Sequence, residues 1–300
     1  LVNIHKKQAA IQVNCVACGA RQGLTVVLKA PYLVACSSTI ETPPFMPPTQ
    51  TDKPFISLIF PAYNEVSRIR ETVSEACAYF EAQGLSYQIV VAADGTDGTR
   101  ETVTEMAQTN PRLLAVGNKE RRGKGYGLRQ AIPHCTGTYI GFSDADNKTP
   151  ITEFDKVLPL LQDGADLVIG QRPHGGALIE KKQNLVRRVG SRVFKIYMHT
   201  MVGLRNIYDT QCGFKFFRAE VARDLFARQQ IDGYMYDVEI LYLADKAGYR
   251  IDQIEVRWRD DGDSRLNLIS GNIKNFADVA KVRSLHAGAN LRQRTTENVG

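Results

Sequence analysis

The chain has 300 residues, 43% of them hydrophobic and 23% charged, with a formal net charge of +6. This composition excludes a low-complexity or disordered polymer and suffices for one sizeable α/β core or two modest ones. The mild positive charge favours anionic partners, such as phosphates or a membrane surface, and does not call for nucleic acid.

Residues 1–53 show no sustained period and end in the Pro-rich run TPPFMPPTQTDKP, which is expected to be a linker into the first strand. Cys15 and Cys18 have no second ligand pair at zinc-like spacing and are taken as inert thiols. The six cysteines are scattered rather than arranged as a dense framework, which suits a reducing, cytoplasmic compartment. No stretch approaches the roughly 18 uninterrupted apolar residues of a spanning helix. The N-terminus, starting at Leu1, lacks the ordered regions of a secretory leader. Neither integral insertion nor a leader is therefore expected.

From Ile56 a short apolar run, ISLIF, stops at Pro61, and Val66, Ile69, Val73, Cys77 and Phe80 then recur at helical spacing as far as Gly84. YQIVVAA predicts a second buried strand, followed by a helix from about Thr99 to Gln108. The alternation continues with LLAV, a helix near Tyr126 to Ile132, the strand YIGF, the helix ITEFDKVLPLLQ and the strand DLVIG. Strands alternating with helices predict a mostly parallel sheet covered on both faces, and such sheets bind ligands beyond the carboxyl ends of their strands. Beyond DLVIG the pattern loosens into an α+β half.

Three polar clusters follow predicted strands: Pro61-Ala62-Tyr63-Asn64-Glu65, Asp94-Gly95-Thr96-Asp97-Gly98-Thr99 and Asp144-Ala145-Asp146-Asn147. In a parallel sheet they share one edge. Asp144 and Asp146 are two apart in extended chain, so both carboxylates face one side and suit Mg²⁺ or Mn²⁺ that completes its shell from water and a diphosphate. The competing reading of this pair alone is a solvated turn. Arg121-Arg122-Gly123-Lys124-Gly125-Tyr126-Gly127 sets three cations and three glycines before a helix, a pattern that lets backbone approach an anion. The order rules out a Walker A loop, since Gly125 follows Lys124.

Taken together, PAYNE, ADGTDGT, RGKGYG, DAD, GQR and DTQCGFK resemble glycosyltransferase family 2 over roughly residues 55–285. DTQCGFKFF, YDVEILYLA and DGDSRLN are most similar to dolichyl-phosphate glucosyltransferases and bacterial polyprenyl-phosphate glycosyltransferases. The resemblance implies a GT-A fold, with a Rossmann-like sheet and an α+β acceptor half. It also implies a nucleotide-diphosphate sugar donor, a polyprenyl or dolichyl phosphate acceptor and inversion at the anomeric carbon. Carried onto this sequence, Pro61, Tyr63 and Glu65 match the nucleotide-contacting loop, and Asp94 an aspartate near base and ribose. Lys124 and Arg172 would face the diphosphate. Ala93 stands where the family commonly has a further aspartate. For Pro61 and Tyr63, a packed turn competes with ligand contact.

The resemblance gives Asp209 the role of base or acceptor orienter. Asp237 and Glu239 compete with it, although a helical setting favours caps or surface positions for both. Lys215 and Arg265 are candidates for holding a phosphate, against a reading as solvated cations. Between Lys181 and Arg205 the cations Lys181, Lys182, Arg187, Arg188, Arg192, Lys195 and Arg205 alternate with apolar residues and no acid. That is a basic amphipathic helix for an anionic bilayer or, equally, a packed surface helix; a membrane-anchoring partner protein is a further option. The expected organisation is an extension over 1–53, a glycosyltransferase domain over 54–260 and a C-terminal loop, helix and tail over 261–300. The favoured reaction is transfer from UDP-glucose at the cytoplasmic face of a membrane, with GDP-mannose as the alternative donor and nucleotidyl transfer as the alternative class.

Overall fold

The computed structural model describes residues 53–173, 197, 200–204, 206–259 and 270–287, with side chains of the last segment from residue 275. These residues belong to one compact unit, Pro48–Gly300. Cys15 and Cys18, the seven cations between Lys181 and Arg205, and Arg265 lie outside the described residues.

Seven strands form one sheet in the order β3-β2-β1-β4-β6-β5-β7. They are β1 (Ile56–Tyr63), β2 (Tyr87–Asp94), β3 (Leu113–Val116), β4 (Tyr139–Ser143), β5 (Leu167–Gln171), β6 (Phe214–Arg218) and β7 (Ile251–Glu255). The helices are α1 (Ile69–Ala82), α2 (Thr99–Thr109), α3 (Lys124–Ala131), α4 (Phe154–Gln162), α5 (Ala219–Arg228), α6 (Tyr236–Lys246) and α7 (Ser270–Leu285). The strands pair in parallel except at β6, which runs antiparallel to both β4 and β5.

Residue alternation along the strands explains the two-sided core. Ile59, Val90, Phe142 and Phe217 face the layer of α3, α5, α6 and α7, with Leu128, Leu225, Leu241 and Val282 packed there. Leu58, Phe60, Ile89, Val91 and Phe216 face the other layer, where α1 and α4 supply Val73, Phe80, Phe154 and Leu161. Each such side chain contributes about 1.5–3 kcal/mol through burial, before the cost of ordering the chain.

Two sequence expectations change. β1 does not stop at Pro61 but runs through it to Tyr63. Its pairing with β4 ends at Ile59, so at Pro61 it is flanked by β2 alone, where a missing N–H is tolerated. The strand FKFFR inside the acceptor half carries no alternation, because both of its faces are covered. Helix α6 is buried from Tyr236 to Ala244, so Asp237 and Glu239 are interior groups and not surface positions. No helix among the described residues is long and apolar enough to cross a membrane.

Candidate active site

The topology brings the chemistry to one edge. β1, β2, β4 and β5 all end there, at Tyr63, Asp94, Ser143 and Gln171, and antiparallel β6 begins there at Phe214. The segment Asp209–Gly213 therefore enters the edge that Asp144 leaves.

Asp144 is held by its own backbone. Its N–H donates to the Gly213 carbonyl at 3.0 Å, and its carbonyl accepts from Asn147 at 3.2 Å. Ala145 is buried in the core, and Thr72 Oγ1 donates to its carbonyl at 2.9 Å; Ala145 and Asp146 form a turn closed by Asn147 N on the Asp144 carbonyl, so the two aspartates stand on a turn and not on the extended chain expected. Lys124 Nζ donates to Asp144 Oδ1 at 2.5 Å, and Lys148 Nζ lies 3.6 Å from Asp146 Oδ2. Burial pushes the Asp146 carboxyl above its ordinary range, the neighbouring Asp144 charge adds to this, and Lys148 and Lys124 only partly offset it. Two carboxylates crowded this way fit a divalent cation. Among the described residues no group of three or more His, Cys, Asp or Glu is placed to hold a metal ion. Gly213 makes the room: a Cβ there would sit 2.1 Å from Asp144 Oδ2.

Helix α3 begins inside the basic stretch, at Lys124. Gly123 and Gly125 serve close approach of the chain to itself, since a Cβ at Gly123 would lie 2.3 Å from the Asp232 carbonyl oxygen and one at Gly125 2.5 Å from that of Ile231. The three cations are engaged as well. Arg121 stacks 4.3 Å from the Tyr63 ring centroid and donates to Tyr234 Oη at 2.9 Å, while Arg122 stacks on Tyr126 at 4.6 Å. Burial works against the Lys124 charge, but Asp144 and then Asp237 more than compensate and hold it firmly protonated.

Asp94 is buried and turned inward. Its Oδ1 accepts from Asn118 N at 3.0 Å and its Oδ2 from Arg122 N at 2.8 Å, so its carboxylate shapes the basic loop. The loop carrying Glu65 is tied to the Asp97 loop by Glu65 N to Thr99 Oγ1 at 2.9 Å and Val66 N to Asp97 Oδ2 at 3.0 Å. Pro61 is half-buried within β1, whereas the Tyr63 ring is exposed beneath Arg121.

Just beyond β5, Arg172 clamps Asp209: Nε to Oδ2 at 2.7 Å, Nη2 to Oδ1 at 2.9 Å and backbone N to Oδ2 at 3.1 Å. Burial alone would raise the Asp209 carboxyl, but these hydrogen bonds and the Arg172 charge outweigh it and keep the group below its usual range. That suits an orienter better than a base. It also commits the Arg172 guanidinium to Asp209, with its outer side still 43% exposed.

Lys215 is a correction. It is fully buried, donating to Asp237 Oδ1 and to the Cys212 carbonyl at 2.6 Å each, so it neither lies in solvent nor reaches toward a phosphate. Glu239 accepts from the amides of Gln230 and Ile231 at 2.9 and 2.8 Å and pairs with His286 at 2.7 Å, fixing the segment on which Gly123 and Gly125 rest. Sequence reasoning missed Gly213, Lys148 and Tyr234. Only Gly213 left a signal, as a glycine directly preceding a strand.

Comparison with known proteins identifies the family and the fold. Glycosyl transferase family 2 matches residues 57–226. The dolichyl-phosphate beta-glucosyltransferase of Dictyostelium discoideum is 32% identical over 250 residues, covering 77% of this chain and 75% of that protein. The enzyme of that name from Saccharomyces cerevisiae is 30% identical, covering 76% and 74%. Among solved structures, glucosyl-3-phosphoglycerate synthase from Mycobacterium tuberculosis, in complex with Mn²⁺, UDP-glucose and phosphoglyceric acid, superposes with a TM-score of 0.56 at 20% identity over 77% of this chain and 79% of that one. Mannosyl-3-phosphoglycerate synthase from Rubrobacter xylanophilus gives 0.55 at 17% identity, over 82% and 79%. The sheet is that of the GT-A fold, and the chain belongs to glycosyl transferase family 2.

Proposed function

We propose that the protein transfers glucose from UDP-glucose to a dolichyl or polyprenyl phosphate with inversion, in a reaction that depends on Mg²⁺ or Mn²⁺. The observation that carries this reading is the Arg172 clamp on Asp209. A carboxylate held below its usual range is a poor proton acceptor for a hydroxyl. A phosphate monoester, with a second pKa of about 6, needs no base near neutral pH. Its oxygen attacks the anomeric carbon, the bond from that carbon to the diphosphate breaks, and UDP leaves with the electron pair.

Asp144 and Asp146 would hold the metal, which supplies charge neutralisation on the leaving diphosphate. Lys124, firmly protonated and aimed at Asp144, adds a positive charge on the same side. Asp209 fixes Arg172, which in this reading meets the acceptor phosphate and not the donor diphosphate expected of it, and Asp94 fixes the basic loop through its amides. The relatives' names favour the dolichyl phosphate acceptor and glucose, and the Mn²⁺ and UDP-glucose of the mycobacterial structure favour that donor and metal. A peripheral position on the cytoplasmic face, with the basic stretch 181–205 against anionic lipid, brings the site to such an acceptor.

The test offers radiolabelled UDP-glucose and GDP-mannose with polyprenyl phosphate, with Mn²⁺ and with a chelator. Labelled lipid from UDP-glucose, lost on chelation, is the expected result. Label from GDP-mannose alone replaces the donor, and pyrophosphate released from UTP plus sugar phosphate replaces the reaction class.

A further inference from the structure

Trp258 lies just beyond β7, at the edge where the site is built. Its backbone neighbourhood is fixed on both sides. Val256 N donates to the Gln171 carbonyl at 3.0 Å, Arg257 Nη2 to Thr152 Oγ1 at 2.8 Å, and Arg259 N to the Lys148 carbonyl at 2.9 Å. The half-buried indole thus sits where the end of β5 meets the loop after Asp146. Two cations face it: Lys148 Nζ is 5.7 Å from the ring centroid and the Arg172 guanidinium carbon 5.8 Å. Lys148 pairs with Asp146, on the donor side, and Arg172 with Asp209, on the acceptor side. One aromatic ring therefore spans the boundary between the two halves of the site.

An indole holds cations through its quadrupole without neutralising them, unlike a carboxylate. Trp258 therefore constrains Lys148 and Arg172 without adding a countercharge to those that Asp146 and Asp209 already supply. Resting on the acceptor reading above, we propose that Trp258 is a positioning residue that holds Arg172 in place to receive the acceptor phosphate, while Lys148 on the other side of the ring stays paired with Asp146. Its replacement then acts on the acceptor and leaves the donor almost untouched.

Trp258 is the chain's single tryptophan, so its emission reports this position alone. Turnover of polyprenyl phosphate by the wild-type protein is measured first, and its absence refutes the acceptor reading independently of any variant. Emission is then titrated with a short polyprenyl phosphate and with inorganic phosphate, each at saturating UDP and Mn²⁺. A saturable change is expected, and a flat response to both overturns the proposal even where no variant folds. For Trp258→Leu, loss of two cation–π contacts is expected to raise the acceptor KM by about tenfold, with the UDP-glucose KM within about twofold of wild type. Trp258→Phe keeps a ring and is expected to stay within about threefold on both. Equal acceptor KM values for the Leu and Phe variants, or a donor KM that rises as far as the acceptor KM, overturn the proposal.

Discussion

Substituting Gly213 with alanine tests how the Asp144 carboxylate is accommodated. Gly213 does not have a left-handed φ, so alanine suits its backbone. The new Cβ would stand 2.1, 2.3 and 2.4 Å from Oδ2, Cγ and Oδ1 of Asp144, where real Cβ atoms essentially never come below 3.0 Å. The carboxylate must retreat by about 1 Å, a displacement of a kind that costs as much as about 10²-fold in rate. The retreat is torsional, because the backbone hydrogen bond from Asp144 N to the Gly213 carbonyl pins the main chain. A side chain forced off its rotamer costs about 0.5–1.5 kcal/mol, so thermal unfolding should shift by only a few degrees. Gly213→Ala is therefore expected to lose about 100-fold in kcat/KM and to need more Mn²⁺ for half-maximal rate while remaining folded. Steady-state kinetics with a Mn²⁺ titration, beside a thermal melt, give the answer. A folded variant within threefold of wild type and with an unchanged Mn²⁺ profile would refute the assigned geometry.

Asp146 has a raised folded-state pKa, so in the metal-free protein its ionisation costs stability as pH rises through that value. Metal-free Asp146→Asn should melt at or above wild type near pH 7, lose that advantage at acid pH, and lose Mn²⁺-dependent UDP binding, as melts and calorimetry would show. Asp209 has the opposite sign: its depressed pKa contributes stability that is present above the ordinary carboxyl range and fades as pH falls through the folded value. Melts of Asp209→Asn and wild type should accordingly converge in strong acid and separate at neutral pH. Lys215→Met leaves Asp237 buried without its partner and should cost about 3–5 kcal/mol in denaturant unfolding, most of it recovered in Lys215→Met with Asp237→Leu. Asp94→Asn removes the carboxylate that accepts from Arg122 N and should raise the UDP-glucose KM by about tenfold with a smaller change in kcat, measured by initial rates.

The first half of the fold was legible because each strand from β1 to β5 is a short apolar run closed by a polar cluster, and each intervening helix carries its own period. That regularity also places Asp144 and Asp146 at the sheet edge without any knowledge of contacts. The acceptor half resisted because β6 inserts antiparallel between β4 and β5, and nothing local in FKFFR announces its direction. Asp237 and Glu239 were misplaced for a related reason. A polar residue in a helix suggests the surface, yet YDVEILYLA is apolar around its whole circumference, the pattern of a buried helix, which makes its two acids interior by necessity.

Partner choice is the part no local pattern carries. Lys124 finds Asp144 across 20 residues, Arg172 finds Asp209 across 37, and Arg121 finds Tyr234 across 113. Among the described residues, the cations expected to meet a phosphate, Lys124, Arg172 and Lys215, are thus engaged by the protein itself, in one of two ways. Lys215 and Asp237 are paired at 0% and 5% side-chain exposure, so their interaction is structural and does not open to solvent. Lys124 and Asp144 are paired at 18% and 40%, within reach of a ligand that exchanges their contact for better ones. Lys124 is also drawn by Asp237, so it keeps a countercharge in the interior when Asp144 turns to another partner. The buried pair supports the exposed one: Lys215 holds Asp237, and Asp237 in turn helps keep Lys124 protonated at the mouth of the site.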